Sequence, residues 1–182
     1  LLFIASISAM QLSAQTQEFV DGDIPINPQA FNAGLLSDII FQKINLERVD
    51  EGLGVLQFDS VLHNAAYDQA MFMIKVHKAT NTNSEKKNKA TTGDRVKYYG
   101  VTKNAEELVK DLSVKKGRNA FTYEDLADKT VEKWFKTKSS KTLVASSKYV
   151  YLAVASAIDD KEKVFVSVVL GDYSSLNAGA EL

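Results

Sequence analysis

Histidine and cysteine are the residues most often used for metal and nucleophilic chemistry, and this chain has two histidines and no cysteine. A catalytic zinc ion usually has three protein ligands, and imidazole is a favoured donor. His63 and His77 lie fourteen positions apart on a predicted helix, which separates them by about 20 Å. Imidazoles so far apart cannot bind one ion, and His63 is expected to be exposed. Thiolate sites, disulfides and a cysteine nucleophile are excluded. The sequence therefore predicts no metal site and no cofactor.

Three helices that would position these residues are predicted from apolar side chains at helical spacing. They cover residues 33–50, 59–77 and 123–137, with expected N-caps at Asn32 or Ser37, Asp59 or Ser60, and Thr122. The polar segment 78–94 is predicted to be a loop, and a short helix over 95–99 should end at Gly100 in a left-handed cap. Residues 105–114 are predicted to form a strand, or a strand and a turn.

The C-terminal third contains the clearest β pattern. Residues 149–158 and 163–170 are rich in β-branched and aromatic side chains and flank the polar turn 159–162, which predicts an antiparallel hairpin. Helices followed by a hairpin in one chain indicate the α+β class. Because both faces of these strands are apolar, helices must cover both. We therefore predict a three-layer α-β-α sandwich around an antiparallel sheet.

The two ends of the chain suggest its domain organisation. Residues 1–15 carry no charge and are typical of a partial secretory signal peptide, the alternative being a buried N-terminal helix. Residues 16–31 contain both prolines and are predicted to be a linker or arm. The folded domain should cover residues 32–173, with a flexible tail at 174–182. We expect a protein that is secreted, periplasmic or attached to the cell envelope, without a transmembrane segment.

A set of short motifs runs along the chain in a fixed order. It begins with Ile44-Asn45-Leu46-Glu47-Arg48, Gly52-Leu53-Gly54 and Leu56-Gln57-Phe58-Asp59, with Leu62 and Ala65-Ala66 next. It continues with Arg95 five residues before Gly100, Ala105-Glu106-Glu107-Leu108, the segment from Trp134 to Lys141, and Gly171-Asp172-Tyr173. In order and spacing these motifs resemble the CAP domain, or SCP-like extracellular domain, of bacterial type. That family is related to cysteine-rich secretory proteins and plant pathogenesis-related proteins. The resemblance covers about residues 33–173 and implies the three-layer fold.

The resemblance also implies a central cleft, which in many members binds a divalent metal through two histidines and one or two glutamates. Of these ligands only Glu106 is kept here. Ser140 stands at the distal histidine position, Thr137 at the second glutamate, and the first histidine would fall near Asn81, with His77 the nearest candidate. The resemblance thus implies a degenerate metal site. The candidate ligand-binding residues in this cleft are His77, Arg95, Glu106, Trp134, Ser140 and Lys141.

The motifs of the fold are present, whereas most of the metal-binding histidines and glutamates are missing. This combination favours ligand binding over catalysis. We expect a non-catalytic protein that binds an extracellular or envelope ligand, a lipid, glycan or protein, through the central cleft. A cleft hydrolase that uses His77, Glu106 and Ser140 is one alternative, although no nucleophile-elbow motif surrounds Ser140. A structural interaction module is the other. Trp134 is either a groove residue or part of the core.

Positive charge is concentrated in two segments. Residues 75–103 contain eight basic and two acidic side chains, and residues 129–148 contain six basic and one acidic. In the implied fold both segments border the cleft, where clustered positive charge would attract an anionic ligand. A solvated lysine surface that maintains solubility is the alternative. The net charge of the whole chain is −1, so nothing global indicates nucleic-acid binding.

Overall fold

The structure is a computed structural model and describes residues 21–100, 104–116 and 119–172. The predicted signal peptide and tail lie outside these residues. The described helices are α1 (Ala33–Asp50), α2 (Ser60–Val76), α3 (Thr92–Tyr99), α4 (Tyr123–Lys136) and α5 (Lys138–Val144). The strands are β1 (Gln57–Phe58), β2 (Ala105–Ser113), β3 (Lys115–Lys116), β4 (Asn119–Ala120), β5 (Tyr151–Ile158) and β6 (Lys163–Gly171). Within this described part, every helix is too short or too polar to cross a membrane.

Four strands form the central sheet in the order β1-β5-β6-β2. Strands β5, β6 and β2 are antiparallel, as predicted, and β1 adds a short parallel pairing with Tyr151 and Leu152 of β5. Glu106 of β2 and Leu152 of β5 both lie opposite Leu170 of β6. At the other end of the sheet, the turn between β5 and β6 follows the pairing of Ile158 with Val164.

Helices cover both faces of the sheet, which confirms the predicted three-layer sandwich. Helices α1, α4 and α5 share a core with β5 and β6 side chains such as Leu152, Val154, Val166, Val168 and Leu170. Helices α2 and α3 pack on the other face, where β5 presents Ala153, Ala155 and Ala157. These small side chains allow α2 to approach the strand closely. The two faces follow from the two-residue repeat of a strand.

Side-chain caps fix where the helices begin. Asn32, Asp59 and Thr122 are the N-caps of α1, α2 and α4, as predicted. Helix α3 begins earlier than predicted, because Thr91 and Asp94 form a capping box ahead of Thr92. The prediction of a left-handed cap at Gly100 is wrong, since its φ of 179° is extended backbone. Helix α5, strand β1 and the β3–β4 pair were not predicted.

The motif at the end of α1 holds two distant parts of the chain. The Asn45 side chain donates to the carbonyl of Leu56 at 3.0 Å and accepts from its N–H at 2.7 Å, as a neighbouring strand would. Arg48 is 2% exposed and donates to the carbonyls of Gly54, Val144 and Ser146. The motif therefore fixes the loop before β1 and the end of α5.

The described part of the N-terminal arm lies against the domain. Pro25 forms an isolated bridge with Thr122, and Ile26 is buried with its N–H 2.9 Å from the carbonyl of Phe121. Residues Pro28–Ala30 form a 3₁₀ turn before α1. The arm thus contributes an apolar side chain to the core beside α4.

Candidate functional site

The three residues of the alternative hydrolase hypothesis do not converge. His77 follows α2, and its Nδ1 lies 2.8 Å from Oδ2 of Asp159, in the turn between β5 and β6. Glu106 lies at the level of Leu152, seven residues from Asp159 along the sheet, a separation of about 20 Å. Ser140 lies in α5, on the sheet face opposite α2. The alternative of a hydrolase that joins His77, Glu106 and Ser140 therefore has no common site in the fold.

One cluster of possible metal ligands is found among the described residues, and it consists of His77, Asp159 and Asp160. Each offers one ligand atom, and the three atoms lie within 4.8 Å of one another. One imidazole and two carboxylates could hold a divalent cation. The Asp159 carboxylate already accepts from the backbone N–H groups of Lys161 and Lys163. These hydrogen bonds hold the turn in shape, and the left-handed φ of 51° at His77 ends α2 beside it. The cluster is therefore explained as a structural junction between α2 and the turn.

Replacing Asp159 with alanine is expected to lower the free energy of unfolding by about 1–3 kcal/mol at pH 7, because its donors lose their acceptor. Although burial would raise the pKa of Asp159, hydrogen bonds from His77 and the backbone hold it below the ordinary 3.8. Its stabilisation is therefore complete above that pH and is lost as the pH falls through the folded-state pKa. Urea unfolding at pH 7 and pH 3 measures the difference in the free energy of unfolding between wild type and Asp159→Ala. This difference should be smaller at pH 3 than at pH 7. Asp160→Ala is the matched control, since that side chain is 80% exposed. An equal loss in both variants would contradict the assignment.

Glu107, the neighbour of the predicted Glu106, is the buried acid of strand β2. Its carboxylate lies 2.5 Å from Nη2 of Arg95 and accepts from the hydroxyls of Ser167 at 2.6 Å and Thr92 at 2.9 Å. The side chains of both members of the ion pair are 0% exposed. Burial raises the pKa of Glu107, opposed by Arg95 and the two hydroxyls, and burial lowers the pKa of Arg95. Arg95 is therefore placed in a buried ion pair rather than in an open cleft.

The remaining predicted cleft residues have structural contacts. Trp134 is 3% exposed and belongs to the core between α4, α1 and the sheet, so it lines no open groove. Ser140 is half-buried, and Lys141 lies 2.6 Å from Glu51 at the end of α1. Glu106 is exposed and lies on the α4 side of β2. Burial raises the pKa of Tyr149, and the negative charge of Glu106 raises it further.

The two lysine-rich segments are less positive in three dimensions than in sequence. Among the described residues, three of their cations pair with acids outside the counted segments: Lys89 with Asp68, Arg95 with Glu107 and Lys141 with Glu51. Lys89 is 6% exposed and also donates to Tyr99 at 2.7 Å. The segment predicted to be a loop is thereby fixed against α2 and α3.

A groove of about 540 Å³ lies between α1 and α2 beside strand β5, and we call it the α1–α2 groove. Its lining comes from the first half of α1, from Phe58, His63 and Tyr67, and from residues 154–156 of β5. Phe58 is 60% exposed and Tyr67 is 51% exposed, so aromatic rings form an open apolar rim. Such an apolar concavity with few polar groups is typical of a ligand site.

Polar groups in the α1–α2 groove are few and distinct. The Nδ1 atom of His63 is buried without a hydrogen-bond partner in the described part of the chain, and the ring lies 5.8 Å from that of Phe58. Burial raises the pKa of Asp38, an effect that the nearby His63 opposes. The hydroxyls of Ser37 and Ser156 each lie 2.8 Å from the carbonyl oxygen of Ala33. The expectation that His63 is simply an exposed helix residue is therefore corrected.

Sequence reasoning missed this groove because its walls come from three separate segments. Asp38 and Phe41 belong to α1, Phe58 and His63 border the start of α2, and Ser156 is more than ninety residues further on. The one available signal is the aromatic pair Phe58 and Tyr67, which flanks His63 without belonging to the apolar face of α2.

The fold and the motifs define the class of protein, an α-β-α sandwich of the SCP-like type. The family model described as the cysteine-rich secretory protein family, CAP, matches residues 41–170. The chain belongs to this family, although it contains no cysteine. No match is found among curated proteins.

Solved structures of bacterial proteins share the fold. An extracellular protein containing an SCP domain from Bacillus anthracis is 15% identical with a TM-score of 0.63, over 82% of this chain and 45% of that one. An outer surface protein from Borrelia burgdorferi is 16% identical with a TM-score of 0.60, over 74% of this chain and 90% of that one. A cysteine-rich secretory protein from Staphylococcus aureus is 12% identical with a TM-score of 0.54, over 78% and 39%. The chain thus spans less than half of the first and third of these proteins.

Proposed function

We propose that this protein acts outside the cytoplasm, secreted or at the cell envelope, and binds a ligand in the α1–α2 groove without turning it over. The observation that carries the proposal is the groove itself, with an exposed aromatic rim above a buried imidazole nitrogen that has no described partner. The uncharged residues 1–15, and the similarity to an extracellular protein and an outer surface protein of other bacteria, support the location.

The unpartnered nitrogen of His63 favours a ligand with a polar group. A buried polar atom without a hydrogen bond costs about 1–3 kcal/mol, which a ligand that bonds to it would recover. The aromatic rim would gain about 25 cal/mol for each Å² of apolar surface that the ligand covers. The site therefore suits an elongated molecule with apolar groups and one or more hydrogen-bonding groups.

Binding is favoured over hydrolysis because the groups needed for nucleophilic catalysis are apart. A serine nucleophile requires an imidazole within hydrogen-bond distance. The two hydroxyls of the groove contact the Ala33 carbonyl, and His77 lies at the other end of the sheet from Glu106. Esterase and peptidase screens on the purified protein test this choice. Turnover that Glu106→Ala abolishes would overturn the binding proposal.

Filling the groove should weaken binding at least tenfold, about 1.4 kcal/mol. Gly34 is the second residue of α1, lines the groove, and has room for a Cβ, its nearest atom being 3.5 Å away. The measurement is an NMR titration of wild type and Gly34→Leu in which the signals of the His63 ring are followed. The three probes are phosphatidylglycerol vesicles, muropeptides and mixed octapeptides.

Gly93→Leu is the matched control, because Gly93 is the second residue of α3, outside the groove, with its nearest atom 3.9 Å from a Cβ. We expect wild-type binding in this variant. Equal affinities of Gly34→Leu and wild type for every bound probe would show that the groove is not the binding site.

A further inference from the structure

Strand β5 has an open edge inside the α1–α2 groove. Strand β1 pairs with only Tyr151 and Leu152, because Asp59 then turns the chain into α2 as its N-cap. Beyond Leu152, β5 pairs with β6 along one side and with no other described strand. The groove is lined at this point by Val154, Ala155 and Ser156. The sheet edge therefore forms its floor.

The pairing with β6 fixes which backbone groups face the groove. The N–H of Asp159 donates to the carbonyl of Lys163, its partner across the β5–β6 turn, at 2.9 Å, so the odd-numbered residues of β5 bond to β6. Val150, just before β5, bonds to both neighbours, since its N–H donates to Gly171 of β6 at 3.0 Å and its carbonyl accepts from Gln57 of β1 at 2.8 Å. In an antiparallel ladder the residues that bond to one neighbour alternate with those that face away. Even-numbered residues of β5 thus point their N–H and C=O groups away from β6. Val154 and Ser156 present these groups to the groove, without a partner strand among the described residues.

The edge is recessed, which limits what can reach it. Val154 and Ser156 are each 4% exposed, and α1 and α2 rise on opposite faces of the sheet beside them. A second copy of this domain carries the same two helices beside its own β5, so the helices would collide before the edges met. A single extended chain has no such flanking layers. Unpaired edges of sheets are known to add extended peptides as an extra strand.

The side chains around the edge favour a particular kind of peptide. Alternate residues of an added strand point to opposite faces, towards the α1 side and the α2 side. Tyr67 of α2 offers an apolar surface for side chains on one side, and Phe58 extends the apolar rim at the end of β1. Asp38 offers a carboxylate on α1 for a cationic side chain on the other.

We infer that the α1–α2 groove binds an extended peptide segment with alternating apolar and basic side chains, which adds to the open edge of β5. This inference rests on the proposed function of the groove and names its ligand class. The peptide continues the line that β1 begins, and its backbone bonds to the N–H and C=O groups of Val154 and Ser156.

The test separates backbone pairing from other binding. The probe is the peptide Val-Lys-Val-Lys-Val-amide with fluorescein at its N-terminus, together with two analogues, one N-methylated on the three valines and the other on the two lysines. In an added strand, either the valine or the lysine N–H groups point towards β5, but not both. A slip by one residue cannot exchange them without moving every side chain to the opposite face of the sheet. We expect one analogue to bind at least tenfold more weakly than the parent peptide and the other to bind within about twofold of it. Hydrogen exchange at the Val154 and Ser156 amides should slow at least tenfold on binding.

The possible failures are distinguishable. Equal affinities of the two N-methylated analogues, or unchanged hydrogen exchange at the Val154 and Ser156 amides, would overturn strand addition. If Gly34→Leu still weakened binding of a vesicle or muropeptide probe, the proposed function would stand with another ligand class. If Gly34→Leu and Gly93→Leu bound every probe equally, the groove proposal would fail together with the inference.

Discussion

Replacing Arg95 with methionine is expected to lower the free energy of unfolding by about 3–5 kcal/mol, the usual cost of leaving a buried charge without its partner. Glu107 would keep its hydroxyl donors but lose the guanidinium, with both side chains fully enclosed. Arg95 also donates to the carbonyls of Lys89 and Asn81, each at 3.3 Å. The same variant should therefore loosen the segment before α3. Urea unfolding followed by circular dichroism measures the loss.

The variant should also have a distinctive pH dependence. Burial already raises the pKa of Glu107 above its ordinary 4.5, and without Arg95 that pKa should rise further. The folded state then binds more protons than the unfolded state above pH 4.5, so the stability of the variant should increase as the pH falls from 8 to 5. Removal of a merely space-filling side chain would give a pH-independent loss.

Two further variants serve as controls for Arg95→Met. The double variant Arg95→Met/Glu107→Leu should be more stable than either single variant, because it leaves no isolated charge in the core. Lys97→Met changes an exposed side chain of the same helix and should stay within about 0.5 kcal/mol of wild type. A double variant that loses the sum of both single effects would contradict the coupling.

Replacing Arg48 with methionine should destabilise the protein by about 2–4 kcal/mol, since one buried and two part-buried charge-assisted hydrogen bonds are lost. Its Nη1 lies 2.7 Å from the carbonyl of Val144 and 2.9 Å from that of Ser146, at the end of α5. Its Nε donates to Gly54 at 3.0 Å. The carbonyl end of a helix is the negative end of its dipole, which favours a cation there.

Arg48→Lys distinguishes the geometry of the guanidinium from its charge. One ammonium group cannot reach the loop of Gly54 and the end of α5 together, so we expect this variant to lose nearly as much stability as Arg48→Met. Lys133→Met, at an exposed position of α4, is the control and should lie within about 0.5 kcal/mol of wild type. Full stability of Arg48→Lys would show that charge alone is needed.

The sequence alone determined the features whose signals are local. Helix starts at Ala33, Ser60 and Tyr123 follow from a capping side chain just before an apolar repeat. The hairpin follows from two β-branched runs around one polar turn. Together with the spacing of the motifs, these signals predicted the sandwich and the family.

Only the tertiary structure decided the site. Adjacent residues of a strand point to opposite faces of the sheet. Choosing Glu106 instead of its neighbour therefore selects an exposed side chain, whereas Glu107 is buried against Arg95. His77 meets Asp159 because α2 runs the length of the sheet, and the α1–α2 groove exists because β1 stops after two residues beside a longer strand. These outcomes depend on the pairing of segments that lie far apart in the chain, which local propensity and spacing do not encode.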